Sequence, residues 1–179
     1  MRNLFLSCVV LLSLDHTVYA QTEVEKHTNQ ALSQQLTIDG LVKNKLTLSV
    51  KELTLFPKQH SQDVAIVTMK GEVRRPTLKF KGVLLKDLLK KAELITSDHN
   101  DFKKTVVIAE ATDGYKVIFS WSELFNTAIG QGVMVVYQEN DQFLNAKSGK
   151  IALISTQDTA TGPRYVKWLK RITVLKITN

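Results

Sequence analysis

Apolar runs in this chain are short, and that limits the fold more than any other feature. Beyond the first twenty residues they alternate with polar residues or stop at a turn pair within about ten positions. Leu36 to Gly40, Lys45 to Val50, Asp63 to Glu72, Thr77 to Phe80 and Thr105 to Ala111 read as extended segments. So do Tyr115 to Phe119, Gly132 to Glu139, Lys150 to Ser155 and Arg171 to Ile177. Alternation at a period of two buries one face of a strand. Asp113-Gly114 is the dipeptide of a tight hairpin. Arg74-Arg75-Pro76 and Gly162-Pro163 read as loops. Only Val83 to Glu93 has clear helical spacing, with Val83, Leu84, Leu88, Leu89 and Ala92 on one face. Ser49 is placed to cap a short helix that Pro57 stops. Ser120 is placed to cap another from Trp121 to about Thr127, with Glu123 at capping-box spacing. The expectation is an α+β fold of mostly short strands in mixed sheets with a few short helices.

The N-terminus has a different character. Arg2 precedes an apolar run from Leu4 to Leu14, and Val18-Tyr19-Ala20 has the small-residue pattern of a cleavage site. The run is shorter than the roughly 20 apolar residues that cross a bilayer. The organisation expected is a cleaved signal peptide at 1–20, a polar arm at 21–35 and one domain at 36–179, located in the periplasm. Cys8 is the only cysteine and lies inside the leader. The exported chain would then have no disulfide and no thiolate. Its stability must come from the core, which a 44% apolar composition can supply. Losing Arg2 and Asp15 leaves the net charge at +7. The basic residues are dispersed, which reads first as a solvated face and otherwise as attraction to an acidic partner or anionic lipid, not to nucleic acid.

Motifs for ordinary catalysis are missing. His27, His60 and His99 lie in polar contexts without ligand spacing. Ser120 and Ser122 are not in a Gly-x-Ser-x-Gly elbow.

The segments Leu36 to Val42, Leu46 to Ser49, Val67 to Glu72, Gly82 to Leu89, Thr112 to Tyr115 and Val166 to Ile172 occur in an order that resembles the oxidoreductase molybdopterin-binding domain of sulfite oxidases. The resemblance spans about Leu36 to Ile177. It implies that fold and a cofactor cleft. Two positions depart from the pattern. Met69 stands where metal-carrying members have a cysteine thiolate, and Ala152 stands where they usually have an arginine for the cofactor's phosphate. A neutral thioether is a poor substitute for a thiolate on a hard, high-valent metal. The stretch Asp113 to Phe125 also resembles a narrower group, exported cysteine-lacking proteins that bind free reduced pterins (PruR-type). That likeness implies no molybdenum, a reduced pterin as ligand, and no catalysis. It also implies a partner, the periplasmic domain of a membrane-bound cyclic-di-GMP cyclase or phosphodiesterase. The alternatives are a periplasmic oxidoreductase domain retaining molybdopterin cofactor, or an interaction module with an empty pocket.

A pterin needs a plane against its rings and convergent polar groups at its edge. The resemblance implies a cleft bordered by the Ser120-Trp121 helix start, the Ser155-to-Arg164 loop and the strand end near Met69. Trp121 is the candidate plane or else a core residue, and Trp168 reads more as core. Asp158 or Glu110 is the candidate carboxylate. Arg164 is the candidate donor fork, with Ser120, Ser155, Lys167 and Arg74 as further candidates around the ligand.

Overall fold

The computed structural model describes residues 33–178. The expected signal peptide and most of the expected arm lie outside the described residues. Strands β1 (Gln35–Gly40) and β2 (Leu46–Ser49) form an antiparallel pair. Helix α1 (Val50–Leu53) follows under a complete capping box, in which the Ser49 side chain and Glu52 satisfy each other's backbone N–H groups. Strand β12 (Leu169–Lys176) lies parallel to β1 and antiparallel to β7 (Thr105–Ala111), and β8 (Lys116–Ser120) forms the outer edge. The five strands run in the order β2-β1-β12-β7-β8.

A second sheet is built from β3 (Gln59–His60), β6 (Phe80–Leu84), β9 (Val133–Glu139) and β10 (Gln142–Phe143), with β11 (Ala152–Ser155) also paired to β9. Its alternating side chains belong to two separate cores. Val133, Val135, Tyr137, Ile151 and Leu153 join the large core with the five-stranded sheet and helix α2 (Leu85–Ala92). Met134, Val136, Ala152 and Ile154 face a smaller core completed by Val64, Ile66, Leu78, Phe80 and Tyr165. A strand buried on both faces gives a continuous apolar run, and Val133 to Tyr137 is such a run. Strands β4 (Val64–Val67) and β5 (Val73–Leu78) make a separate hairpin that covers the smaller core.

The fold class is the one expected, α+β with mixed sheets and few short helices. Several boundaries differ. The extended segment expected from Asp63 to Glu72 stops at Val67, because Thr68 N–H bonds to Glu72 O and Gly71, at φ +82°, reverses the chain. The expected loop at Arg74-Arg75-Pro76 is strand β5. Pro76 is tolerated there because the ladder with β4 is irregular. The helix expected from Val83 begins at Leu85, since Val83 and Leu84 pair with Val135 and Met134 instead. Helix α4 (Trp121–Asn126) begins where expected, and Ser120 and Glu123 form the anticipated capping box. The Asp113-Gly114 turn is present, with Gly114 at φ +88°.

Two consequences can be measured. A Cβ on Gly82 would come within 2.1 Å of the Val135 carbonyl oxygen. Gly82→Ala must therefore push β6 from β9, and we expect a loss of about 1–3 kcal/mol in urea unfolding. The second concerns acid. Asp101, at the start of α3 (Asp101–Lys104), is buried and accepts from the Lys176 ammonium at 2.5 Å and from the N–H groups of Ser97 and Asp98. Lys176 first, then these amides, lower its pKa from 3.8 to about 2. The folded pKa lies below the unfolded one, so this stabilisation is complete above about pH 4. It is lost as pH falls toward 2. Asp101→Asn should flatten the acid limb of stability against pH between 4 and 2, read by thermal melts.

Candidate functional site

The 3-10 turn at Gly162–Arg164 delivers an arginine to the junction of three segments. The Arg164 guanidinium donates Nε–H to Asp158 Oδ2 at 2.6 Å and a terminal N–H to Asp158 Oδ1 at 2.5 Å. Its other terminal nitrogen donates to Glu123 Oε1 at 2.8 Å. The Ser155 hydroxyl, fully buried at the end of β11, donates to Asp158 Oδ1 at 2.7 Å. The guanidinium carbon lies 4.5 Å from the centre of the Phe119 ring, a cation–π distance. The side chains of Arg164, Asp158 and Glu123 are 20%, 11% and 23% exposed. Two carboxylates face one guanidinium, leaving the cluster formally at −1. Hydrogen bonding to Asp158 is the main cause that raises the Arg164 pKa further.

Thr161 fastens the same loop to the hairpin. Its hydroxyl donates to Ala65 O at 2.6 Å and accepts from Val67 N–H at 3.0 Å. A Cβ on Gly162 would come within 2.8 Å of Val67 O, so glycine allows this approach. The helix start, the Ser155-to-Arg164 loop and the end of β4 are therefore adjacent. Beside the loop lies a cavity of about 170 Å³ between Gln59–Val64 and Thr156–Gln157. Typical ligand pockets run to roughly 300–1,000 Å³.

The structure brings Ser155, Asp158 and Arg164 together, with Ser120 connected through its cap on Glu123. The other candidates lie apart. Trp121 is 8% exposed and stacks on Phe125 at 4.3 Å and 14°, with Phe102 at 6.0 Å, so its rings are occupied by core contacts. Glu110 is on the outer face of β7, where it pairs with Lys170 at 3.0 Å and Lys116 at 3.9 Å. Lys170 is the first cause of its lowered pKa. Lys167 lies over the Tyr165 ring at 5.7 Å. Arg74 is exposed and pairs with Glu72. Met69 is 79% exposed at the hairpin tip. Trp168, expected in the core, is partly exposed and donates its indole N–H to Ala146 O at 2.8 Å. Ala152 faces the smaller core at 0% exposure.

The profile of the oxidoreductase molybdopterin binding domain matches residues 22–179. This chain belongs to that family. No curated protein matches the sequence. Among solved structures, the chain is similar to the sulfane dehydrogenase SoxCD from Paracoccus pantotrophus, with a TM-score of 0.57 and 18% identity. The match covers 78% of this chain and 37% of the SoxCD chain, so the domain spans well under half of that protein. The expectation of a non-catalytic, free-pterin sensor serving a cyclic-di-GMP enzyme is corrected by these findings. The family profile is that of an oxidoreductase domain, and the likeness to SoxCD supports its fold. They favour the oxidoreductase alternative.

Sequence reasoning missed Glu123 as a site residue because its capping role accounted for it. One carboxylate serves both purposes: Oε2 accepts from Ser120 N–H and Oε1 from Arg164. Thr161 was missed because its partners are more than ninety residues away in the chain. Arg164→Gln leaves two partly buried carboxylates side by side without their cation. We expect a loss of about 1.5–3 kcal/mol, and most of the Asp158→Asn effect should vanish in the Arg164→Gln background, read as a double-mutant cycle in urea.

Proposed function

We propose that this chain is an exported oxidoreductase-family domain that binds a molybdopterin-type cofactor by its pterin, at the face where the Ser155-to-Arg164 loop meets α4 and β4. One observation supports this above the others: Arg164 joins Asp158 to Glu123 at the junction the family resemblance implies for the cofactor. The donor set suits the organic part of the group. Asp158 and Glu123 are acceptors for the paired donors of an amino-pyrimidinone edge, and Arg164 offers a fork of donors to an oxygen. Ser155 orients Asp158. Phe119 supports the guanidinium from beneath.

The donor set does not suit the metal in the same way. The described residues contain no cysteine, and the exposed Met69 carries only a thioether. No step through a metal follows from these side chains. Redox chemistry would be the cofactor's own contribution when bound. The chain's residues would hold and orient the pterin, exchanging bonds they now make with one another.

Export rests on the N-terminal pattern of Arg2, the apolar run and Val18-Tyr19-Ala20. N-terminal sequencing of protein recovered from the cell envelope should begin at Gln21. Oxidative release from the purified wild type should give a fluorescent pterin near one per chain, with molybdenum below the pterin content. Asp158→Ala and Arg164→Ala, shown to be folded, should retain about a tenth or less. A pterin-free wild type from cells making the cofactor would overturn the proposal.

A further inference from the structure

A second hollow lies at the end of the five-stranded sheet where β7 begins and β8 and β12 end. It holds about 490 Å³, within the roughly 300–1,000 Å³ range of ligand sites. Its walls include Lys103 and Lys104 from α3, Lys176 from β12 and Ser120 from β8, and Val106 and Ile177 are its apolar lining. Strand register brings them together. Val106 pairs with Leu175 on one side and Ser120 on the other, and Thr105 pairs with Lys176. The Ile177 N–H bonds to Lys104 O at 2.8 Å, which ties the tail of β12 to α3.

The charges do not cancel. Asp101 takes up Lys176. Lys103 donates to the neutral amide oxygen of Asn100 at 2.8 Å and keeps its charge. Lys104 has no ion pair among the described residues. Three ammonium groups against one carboxylate leave an excess of two positive charges beside apolar surface. That surface continues along the sheet through Ile108 and Ile118, paired across β7 and β8, with Ile118 60% exposed and Ile177 57% exposed. Burying such aliphatic surface favours binding a ligand with an apolar body. An ammonium group is a compact point charge suited to phosphate oxygens.

We propose that this hollow binds a phosphomonoester with an apolar or aromatic body, its dianion held by Lys103, Lys104 and Lys176 and its body against Val106 and Ile177. A dianion matches the excess charge, which a monocarboxylate would only half neutralise. The hollow is larger than inorganic phosphate alone requires. The lysines lie outside the Arg164 cluster, and although Ser120 borders both places through its cap on Glu123, the lysine variants below touch this hollow alone.

The test is titration of the full exported chain with phenyl phosphate, followed by backbone amide NMR, with inorganic phosphate and benzoate as comparisons. Saturable shifts are expected at Thr105, Val106 and Ile177, with phenyl phosphate about tenfold tighter than either comparison ligand. Lys103→Gln and Lys104→Gln should each weaken binding up to about fivefold, and raised salt should weaken it further. Lys176 is left intact because its loss would strand Asp101. Absence of saturable shifts, shifts centred elsewhere, equal affinity for inorganic phosphate, or unchanged affinity in the Lys103→Gln/Lys104→Gln double variant would each overturn the proposal.

Discussion

Strands β9 and β11 lack a solvent face at their centres, and much of the remaining architecture follows from covering both sides. Val135 and Leu153 point into one core while Val136 and Ala152 point into the other. Each exposed aliphatic face would forfeit roughly 25 cal/mol for every Å² left in water. The five-stranded sheet and α2 cover one side. The other is covered by the β4–β5 hairpin, whose Val64, Ile66 and Leu78 close the smaller core. A two-stranded hairpin is marginal by itself. It is held by the bidentate pair from Arg75 to Glu139 and by the two hydrogen bonds of Thr161. Tyr165 supports the same region by packing on Phe80 and bonding to Glu139. Burial, followed by the nearby Glu139 charge, pushes its phenol up to about 12, so it stays a donor across the ordinary pH range. The requirement to cover the inner sheet thus draws the Ser155-to-Arg164 loop against β4, and the loop carries the site.

Local patterns in the sequence were sufficient where structure is decided locally. The Ser120/Glu123 and Ser49/Glu52 capping boxes and the Asp113-Gly114 turn depend on neighbours within four residues. The run from Val133 to Tyr137 was legible as a strand, and the structure adds that both of its faces are buried. Reading failed where distant pairing outweighed local preference. Val83 and Leu84 suit the helical face of Leu88 and Leu89, yet they complete β6 because Val135 and Met134 offer them ladder bonds and burial. Arg75 looked like a loop cation, and only its partner Glu139, 64 residues on, makes β5 a strand anchored at that point. The site divided in the same way. Asp158, Ser155 and Arg164 lie within ten residues of each other, and the structure brings their side chains into contact. Trp121 could serve a ligand or the core on sequence grounds, and Phe125, one helical turn away, occupies its ring.

Family membership and the chemistry of individual positions constrain different things. The profile match over 22–179 accounts for the fold, and the bonds of Thr161 and Arg164 join loop, helix start and hairpin. The match does not supply the side chains that a metal requires. At the two positions where the sequence resemblance implies a thiolate and an arginine, this chain has Met69 on an exposed turn and Ala152 inside a core. These two changes differ in reversibility. A cysteine at 69 would be sterically easy on a tip 79% exposed. An arginine at 152 would have to bury its charge among Met134, Val136 and Ile154 without a partner, at a cost of several kcal/mol. Single restoration at 69 therefore leaves the phosphate contact unmade.

The Arg164 cluster carries the remaining cost of binding. Its three charged groups already satisfy one another, so a ligand entering there must replace bonds before it gains any. Replacement is cheaper than creation in one respect. The side chains are held by Ser155, Phe119 and the α4 cap, so little rotamer entropy is left to lose. The formal −1 charge also sets a preference. A ligand edge rich in N–H donors can bind to Asp158 and Glu123 while Arg164 remains between them. An anionic group would have to compete with both carboxylates for the guanidinium. Under the proposed function, this charge would favour the donor-rich edge of a heterocycle over a phosphate at this face. The hollow lined by Lys103, Lys104 and Lys176 carries excess charge of the opposite sign.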